Sequence, residues 1–282
     1  MTGSHTSSPS SSSGIAFIGG GNMARSLIAG LIRRGVAPAS IRVAEPVEAL
    51  RSALAQDFGV TPVADAAHAV PGTALWVMAV KPQVMREVCA GLAEAAQLAA
   101  PVVVSIAAGI TGGQLDRWLG GGRAIVRAMP NTPALVGAGV TGLFANARVT
   151  PEQRALAEQV LASAGRTVWI EDEALMDAVT AVSGSGPAYV FLLAEAMEAA
   201  ALEQGLPAEA ARTLVLDTVL GAARMLTEAG EAPAELRRRV TSPGGTTQAA
   251  IETFQAGGLE ALTAKAIDAA TRRGRELSAA ND

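Results

Sequence analysis

Gly14-Ile15-Ala16-Phe17-Ile18-Gly19-Gly20-Gly21-Asn22-Met23-Ala24 is the stretch that decides how this chain is read. A short apolar run breaks into three glycines, and Met23, Leu27 and Leu31 then recur four apart, so the order is strand, turn, helix. Gly35 closes that helix, Ile41-Arg42-Val43-Ala44 makes a second strand, and Glu45 sits at its end. Gly19 to Ala24 matches the G-x-G-x-x-G/A fingerprint, in which glycines permit a tight turn and let the backbone approach a pyrophosphate at a helix N-terminus. Its position between strand and helix, with an acidic residue ending the next strand, makes Gly19, Gly20, Gly21, Asn22, Met23 and Glu45 candidate dinucleotide contacts.

Outward from this unit, Ala74–Val80, Val102–Ile106 and Ala124–Met129 continue the alternation of apolar runs with helical or mixed segments. The runs are near-continuous in apolar residues, as expected of parallel strands covered by helices on both faces. An α/β, doubly wound Rossmann-like sheet is therefore expected over residues 14–172, with ligands at the carboxyl ends of its strands. Three strand ends carry unusual residues that should face a cofactor: Ala79-Val80-Lys81-Pro82, Ala107-Ala108-Gly109, and Met129-Pro130-Asn131-Thr132-Pro133. Thr111 and Gln114 also have the spacing of a capping box.

After Thr167–Ile170 the strand signals stop. Residues 173–282 read as an all-α domain, with Pro187 opening a helix that ends near Gln204-Gly205 and Pro207 near the start of the next. Ala194 to Leu202 carries only Glu195 and Glu198 as polar residues, too few for a helix covering one core, so partner helices should surround it, some from a second subunit. In Thr241-Ser242-Pro243-Gly244-Gly245-Thr246-Thr247, Ser242 can cap a helix and Pro243 can take its first position, leaving outward N–H groups for an anion. A carboxylate there gains about 0.3–1 kcal/mol from the macrodipole when exposed.

Composition narrows the partners. The chain has 282 residues, 50% hydrophobic and 17% charged, with a net charge of −4. It carries no basic run of the kind that nucleic acid requires. A lone Cys89 rules out an intrachain disulfide, and two histidines, His5 and His68, rule out a His/Cys metal cluster; a reducing cytoplasm fits. The Ser/Thr-rich residues 1–13 have no apolar segment and are expected to be a disordered tail. No apolar stretch reaches the roughly 18 to 20 residues of a membrane span.

Taken together, Phe17–Ala24, Val80-Lys81-Pro82, Met129–Pro133, Asp177-Ala178-Val179-Thr180 running into Ser183-Gly184-Ser185-Gly186-Pro187-Ala188-Tyr189, and Thr241–Thr247 resemble the pyrroline-5-carboxylate reductase family. The last two segments are the specific ones, since many Rossmann oxidoreductases share the first. The resemblance implies an NADPH or NADH hydride donor, a pyrroline-5-carboxylate substrate reduced to proline, and an oligomer built from dimers that interleave their helical domains, often a decamer. It also implies that Thr247 hydrogen-bonds the ring nitrogen as the catalytic residue. The backbone of Ser242, Gly244, Gly245 and Thr246 would hold the carboxylate, and Glu173 would lie close to the substrate. Gly19–Met23, Ala79–Pro82 and Ala107–Gly109 match cofactor contacts.

What is missing agrees with this resemblance. Ketone reduction ordinarily needs a proton donor near the oxygen, and Tyr189 is the only tyrosine while His68 falls outside every site motif. A protonated C=N is already electrophilic, so a hydroxyl that orients its nitrogen suffices. Glu45 can accept hydrogen bonds from an adenosine ribose and would repel a 2′-phosphate, favouring NADH, with Arg42 and Arg51 the cations available to offset that repulsion. The nearest rivals are a β-hydroxyacid dehydrogenase or general imine reductase. Such dehydrogenases place a catalytic lysine on an interdomain helix, whereas Lys265, the one lysine besides Lys81, lies near the C-terminus.

Overall fold

A computed structural model describes residues 14–281; the tail expected at 1–13 lies outside the described residues. The first part alternates as expected: β1 (Gly14–Ile18), α1 (Asn22–Arg33), β2 (Ile41–Ala44), α2 (Glu48–Phe58), β3 (Thr61–Val63), α3 (Ala66–Ala69), β4 (Thr73–Met78) and α4 (Pro82–Ala99). There follow β5 (Val102–Ser105), α5 (Gly112–Trp118), β6 (Ala124–Met129), β7 (Gly139–Ala145), α6 (Pro151–Leu161) and β8 (Gly165–Trp169). The rest is helical: α7 (Met176–Val179), α8 (Gly186–Glu203), α9 (Ala208–Glu228), α10 (Pro233–Arg239), α11 (Thr246–Ala256) and α12 (Leu259–Ala280), with a π-helical turn over Thr180–Gly184.

The eight strands form one sheet in the order β3-β2-β1-β4-β5-β6-β7-β8. All neighbours are parallel except β6 and β7, which run antiparallel. Alternate strand residues serve opposite faces, as the period of two demands. Ile15, Phe17, Leu75 and Val77 pack with Leu27, Leu31, Leu54 and Val160 from α1, α2 and α6. Ala16, Ile18, Trp76 and Met78 pack with Met85, Cys89, Leu92 and Leu115 from α4 and α5. Helices on both faces make the sheet doubly wound. Burial among these side chains pushes the Cys89 thiol up to about 12, so it packs as a small apolar group.

Two strands had no signal in the sequence. β3 is an edge strand containing Pro62, tolerated there because an edge residue need not donate. β7 lacks a clean alternation because two of its glycines are required by packing. A Cβ on Gly139 would sit 2.8 Å from the Ala164 carbonyl oxygen, and one on Gly142 would sit 2.4 Å from Val179 Cγ1.

By compactness the chain divides into two units. The first holds the described residues through Gly184 together with those from Ala270 onward; the second is Ser185–Ala269. This division by compactness falls after Gly184. Glu173 pairs with Arg127, and Asn131 Nδ2 donates to the Ser183 carbonyl (3.1 Å), which keeps residues 173–184 with the sheet. In the second unit no residue of α8 is buried, and Phe191 and Leu192 are 65% and 64% exposed. An apolar surface of that kind marks a region made to be covered. No helix among the described residues is long and apolar enough to cross a membrane.

Gly30 of α1 lets that helix lie against the turn at Ala162–Ala164; a Cβ there would stand 2.1 Å from the Ser163 carbonyl oxygen. Backbone cannot give way as a side chain can. Gly30→Ala is therefore expected to cost about 1–3 kcal/mol, measured as a lowered denaturant midpoint with an unchanged slope.

Candidate functional site

The first unit presents a cleft of about 670 Å³ at the carboxyl ends of β1, β2 and β4, with Ile18, Gly19, Ala44, Pro46, Asp65, Val80 and Glu87 among its walls. This edge includes the switch point of the sheet, because β1 is flanked by β2 on one side and β4 on the other. The lining is mostly apolar, and its charged members are Asp65 and Glu87, both acidic.

Each glycine of the loop has its own reason. Gly19 has φ +105, and a Cβ there would meet the Ala79 carbonyl oxygen at 2.6 Å, so the loop crosses the end of β4 at a distance only glycine allows. At Gly20 a Cβ would meet Leu54 Cδ1 at 2.6 Å. Gly21 caps α1 without any side-chain hydrogen bond, and nothing lies within 4 Å of where its Cβ would be. The first N–H groups of α1, from the exposed Asn22 and half-buried Met23, thus open onto free space, as a pyrophosphate cradle requires.

Glu45 holds this loop. The residue is 7% exposed; its Oε2 accepts from Gly20 N–H (3.1 Å) and its Oε1 from Val47 N–H (3.0 Å). Each carboxylate oxygen keeps a further lone pair for a ribose hydroxyl. Arg51 Nη1 donates to the Glu45 carbonyl (2.9 Å) and the Pro46 carbonyl (2.6 Å), while Arg42 donates to the Pro71 carbonyl.

The other expected cofactor residues divide. Ala79 and Val80 are half-buried beside Gly19, and exposed Lys81 caps α4, whose first residue is Pro82. Ala107 and Ala108 are half-buried. Gly109 has φ +70 and faces the C-terminal helix, where a Cβ would come 3.1 Å from Leu277 Cβ, and Asn281 Nδ2 donates to its carbonyl (3.1 Å). The Thr111–Gln114 capping box is present. Asn131 uses its amide internally, accepting from Val140 N–H (3.0 Å) and donating to Ser183. Glu173 lies in the first unit, where its Oε1 accepts from Gly112 N–H (2.6 Å) and Arg127 Nη1 (3.0 Å). Nothing in the sequence pointed to Arg127, because its relation to Glu173 is entirely long-range.

In the second unit, the helix start expected to hold an anion lies three residues further along the chain. Ser242 does not cap the helix and Pro243 is not its first residue. Gly245 N–H donates to the Ser242 carbonyl (3.0 Å) with Pro243 and Gly244 (φ +71) between them, which closes a β-turn of the Pro-Gly kind. α11 therefore starts at Thr246, with Gly245 as cap and no side-chain cap bond. Thr246 and half-buried Thr247 occupy its first two positions, where helical N–H groups have no intrahelical partner. Gly244 N–H, expected to face a ligand, donates to Gln248 Oε1 (2.7 Å), and Gln248 Nε2 donates to Glu252 Oε1 (2.6 Å).

Since Glu45 satisfies a buried N–H of the loop, Glu45→Ala leaves Gly20 without its acceptor. The expected loss is about 1–3 kcal/mol of stability, together with weaker dinucleotide binding, read by urea unfolding and by nucleotide titration.

Residues 173–277 match the family model described as pyrroline-5-carboxylate reductase dimerisation, and residues 14–109 match that described as NADP oxidoreductase, coenzyme F420-dependent. Pyrroline-5-carboxylate reductase of Pseudomonas aeruginosa is 52% identical over 264 residues, covering 94% of this chain and 96% of the relative. A solved pyrroline-5-carboxylate reductase from Coxiella burnetii superposes with a TM-score of 0.91 at 42% identity, covering 95% of this chain and 99% of the other. The Plasmodium falciparum enzyme, solved with NADP bound, gives 0.82 at 26% identity, covering 94% and 98%. The chain belongs to the pyrroline-5-carboxylate reductase family.

Proposed function

We propose that this chain reduces the cyclic C=N bond of 1-pyrroline-5-carboxylate to give proline, the last step of proline biosynthesis. The observation that carries this reading is the presence, in one chain, of two complementary features. One is an open glycine loop with an uncapped α1 N-terminus; the other is a Pro-Gly turn leading into an uncapped α11 N-terminus bearing Thr246 and Thr247. The first suits a dinucleotide pyrophosphate and the second a small carboxylate.

The reaction is chiefly positioning. The N–H groups at the start of α11, with the backbone of Ser242, Gly244 and Gly245, hold the ring carboxylate, and the Thr247 hydroxyl orients the ring nitrogen. Gln248 must release Gly244 N–H if that group is to join them. Gly19 to Met23, Glu45, Ala79 to Pro82 and Ala107 to Gly109 serve the dinucleotide, which when bound supplies the hydride. The substrate enters as the protonated imine, so hydride addition at carbon completes the amine and no metal or side-chain acid is required.

Acidic Glu45, Asp65 and Glu87 around the cleft support NADH as the better donor, because a 2′-phosphate would meet carboxylates there. Arg51 stands beside Glu45 and lets NADPH serve as a second donor. The lone cysteine suits a cytoplasmic location. The exposed apolar residues of α8 support a homo-oligomer of interleaved dimers; the further step to a decamer rests on the family resemblance alone.

With pyrroline-5-carboxylate as substrate, kcat/KM should be higher for NADH than for NADPH; a strong NADPH preference refutes the repulsion argument. Thr247→Ala should lower kcat/KM about 100-fold and Thr247→Ser should recover most of it; unaltered turnover and affinity in Thr247→Ala remove that residue from the mechanism. Leu192→Glu, at a position already 64% exposed, should leave the helical signal intact but lower the molar mass seen by light scattering.

A further inference from the structure

Glu173 is the acidic residue that resemblance places near the substrate, yet its contacts point elsewhere. Its Oε1 receives Arg127 Nη1 at 3.0 Å and Gly112 N–H at 2.6 Å. The Arg127 side chain is only 8% exposed, so its charge is held away from water and needs this carboxylate. Gly112 is the first residue of α5, and the preceding residues, Ile106 to Thr111, connect it to the carboxyl end of β5. Glu173 therefore fixes one end of the β5–α5 loop.

The remainder of that loop is fixed as well. Ala107 N–H donates to the buried Ser105 Oγ (3.3 Å), Asn281 Nδ2 donates to the Gly109 carbonyl, and Gln114 Nε2 donates to the Ser278 carbonyl (2.9 Å). Ile106 N–H donates to the Met78 carbonyl (3.2 Å), tying the loop's start to the end of β4. Ala107 and Ala108 are left half-exposed on the carboxyl edge of the sheet, where doubly wound folds bind their ligands. So many anchors on so short a loop hold two small residues at a set height above that edge.

We propose that Glu173, backed by Arg127, is a positioning residue for the dinucleotide: it holds the Ala107–Gly112 loop in the form that receives the cofactor, and it does not bind the imine. This rests on the reading of the first unit as a dinucleotide-binding domain. The ion pair sets the carboxylate, the carboxylate sets the Gly112 N–H, and the loop follows.

Two substitutions separate this from a substrate contact. Glu173→Ala removes the acceptor and leaves Arg127 without its charge partner. Gly112→Pro replaces the N–H by a ring carbon that drives the Glu173 carboxylate off the loop but keeps the Glu173 side chain in the protein, at a first helical position where proline is well accommodated and after an extended Thr111 (ψ 156) that precedes proline readily. NADH and NADPH are titrated into each folded protein without substrate, following the nucleotide's own fluorescence, and the KM for pyrroline-5-carboxylate is then measured at saturating nucleotide. The expected result is dinucleotide affinity about tenfold weaker in both variants, with the imine KM within about twofold of the unsubstituted chain. Should Glu173→Ala disturb folding, Gly112→Pro carries the test alone. A folded variant that binds nucleotide as tightly as the unsubstituted chain overturns the proposal, and a raised imine KM alongside it makes Glu173 a substrate contact. Failure of the unsubstituted chain to bind either nucleotide overturns the dinucleotide reading itself.

Discussion

A buried carboxylate gripping the backbone of a glycine turn is the constraint on which the rest of the first unit depends. Moving the Glu45 carboxylate out of water is costly unless its oxygens find donors, and Gly20 and Val47 N–H supply them. That exchange fixes the exit of β1 relative to β2. Leu54 of α2 then fills the space against Gly20, and the Ala79 carbonyl passes where a Gly19 side chain would have been. Three strands and two helices thus converge on a few backbone atoms, and the N-terminus of α1 is left open, with nothing within 4 Å of where a Gly21 Cβ would stand.

The second unit follows the opposite logic. Of its described side chains only Ala211, Val215 and Leu236 among the apolar ones are buried, whereas several leucines, Val190, Phe191 and Phe254 along α8, α9 and α11 stand in the open. Helices α8 to α11 have no side-chain cap bonds, and helices of this kind draw most of their stability from packed faces. Protection of such a surface by further copies of the chain stabilises the folded form by mass action. The turn at Ser242–Gly245 is locally determined: Pro243 restricts one dihedral, Gly244 takes the left-handed one, and a single backbone hydrogen bond closes it.

Glu173 joins parts of the first unit that are far apart in the chain. The family resemblance drew attention to it, and the structure turns its carboxylate toward Arg127 and Gly112. A charge with two good donors already in place is a fixed point of the fold, and loops attached to it inherit that fixity.

The glycine fingerprint, the apolar strands, the Thr111–Gln114 cap and the proline-led helices were all legible in the residues themselves. Dihedral preference, side-chain period and capping act over a few residues, so local order suffices to reveal them. The sequence by itself therefore determined a Rossmann-like sheet followed by helices, and marked Glu45 and the Thr241–Thr247 turn. Tertiary structure alone decided the partners of Glu173, 46 and 61 residues away, and the seating of Asn281 on Gly109 across 172 residues. It also decided which strand glycines were needed for close packing, and it moved the start of α11 from Pro243 to Thr246. The physical reason is the same in the long-range cases: a hydrogen bond or a van der Waals contact depends on distance in space, which only the folded chain sets.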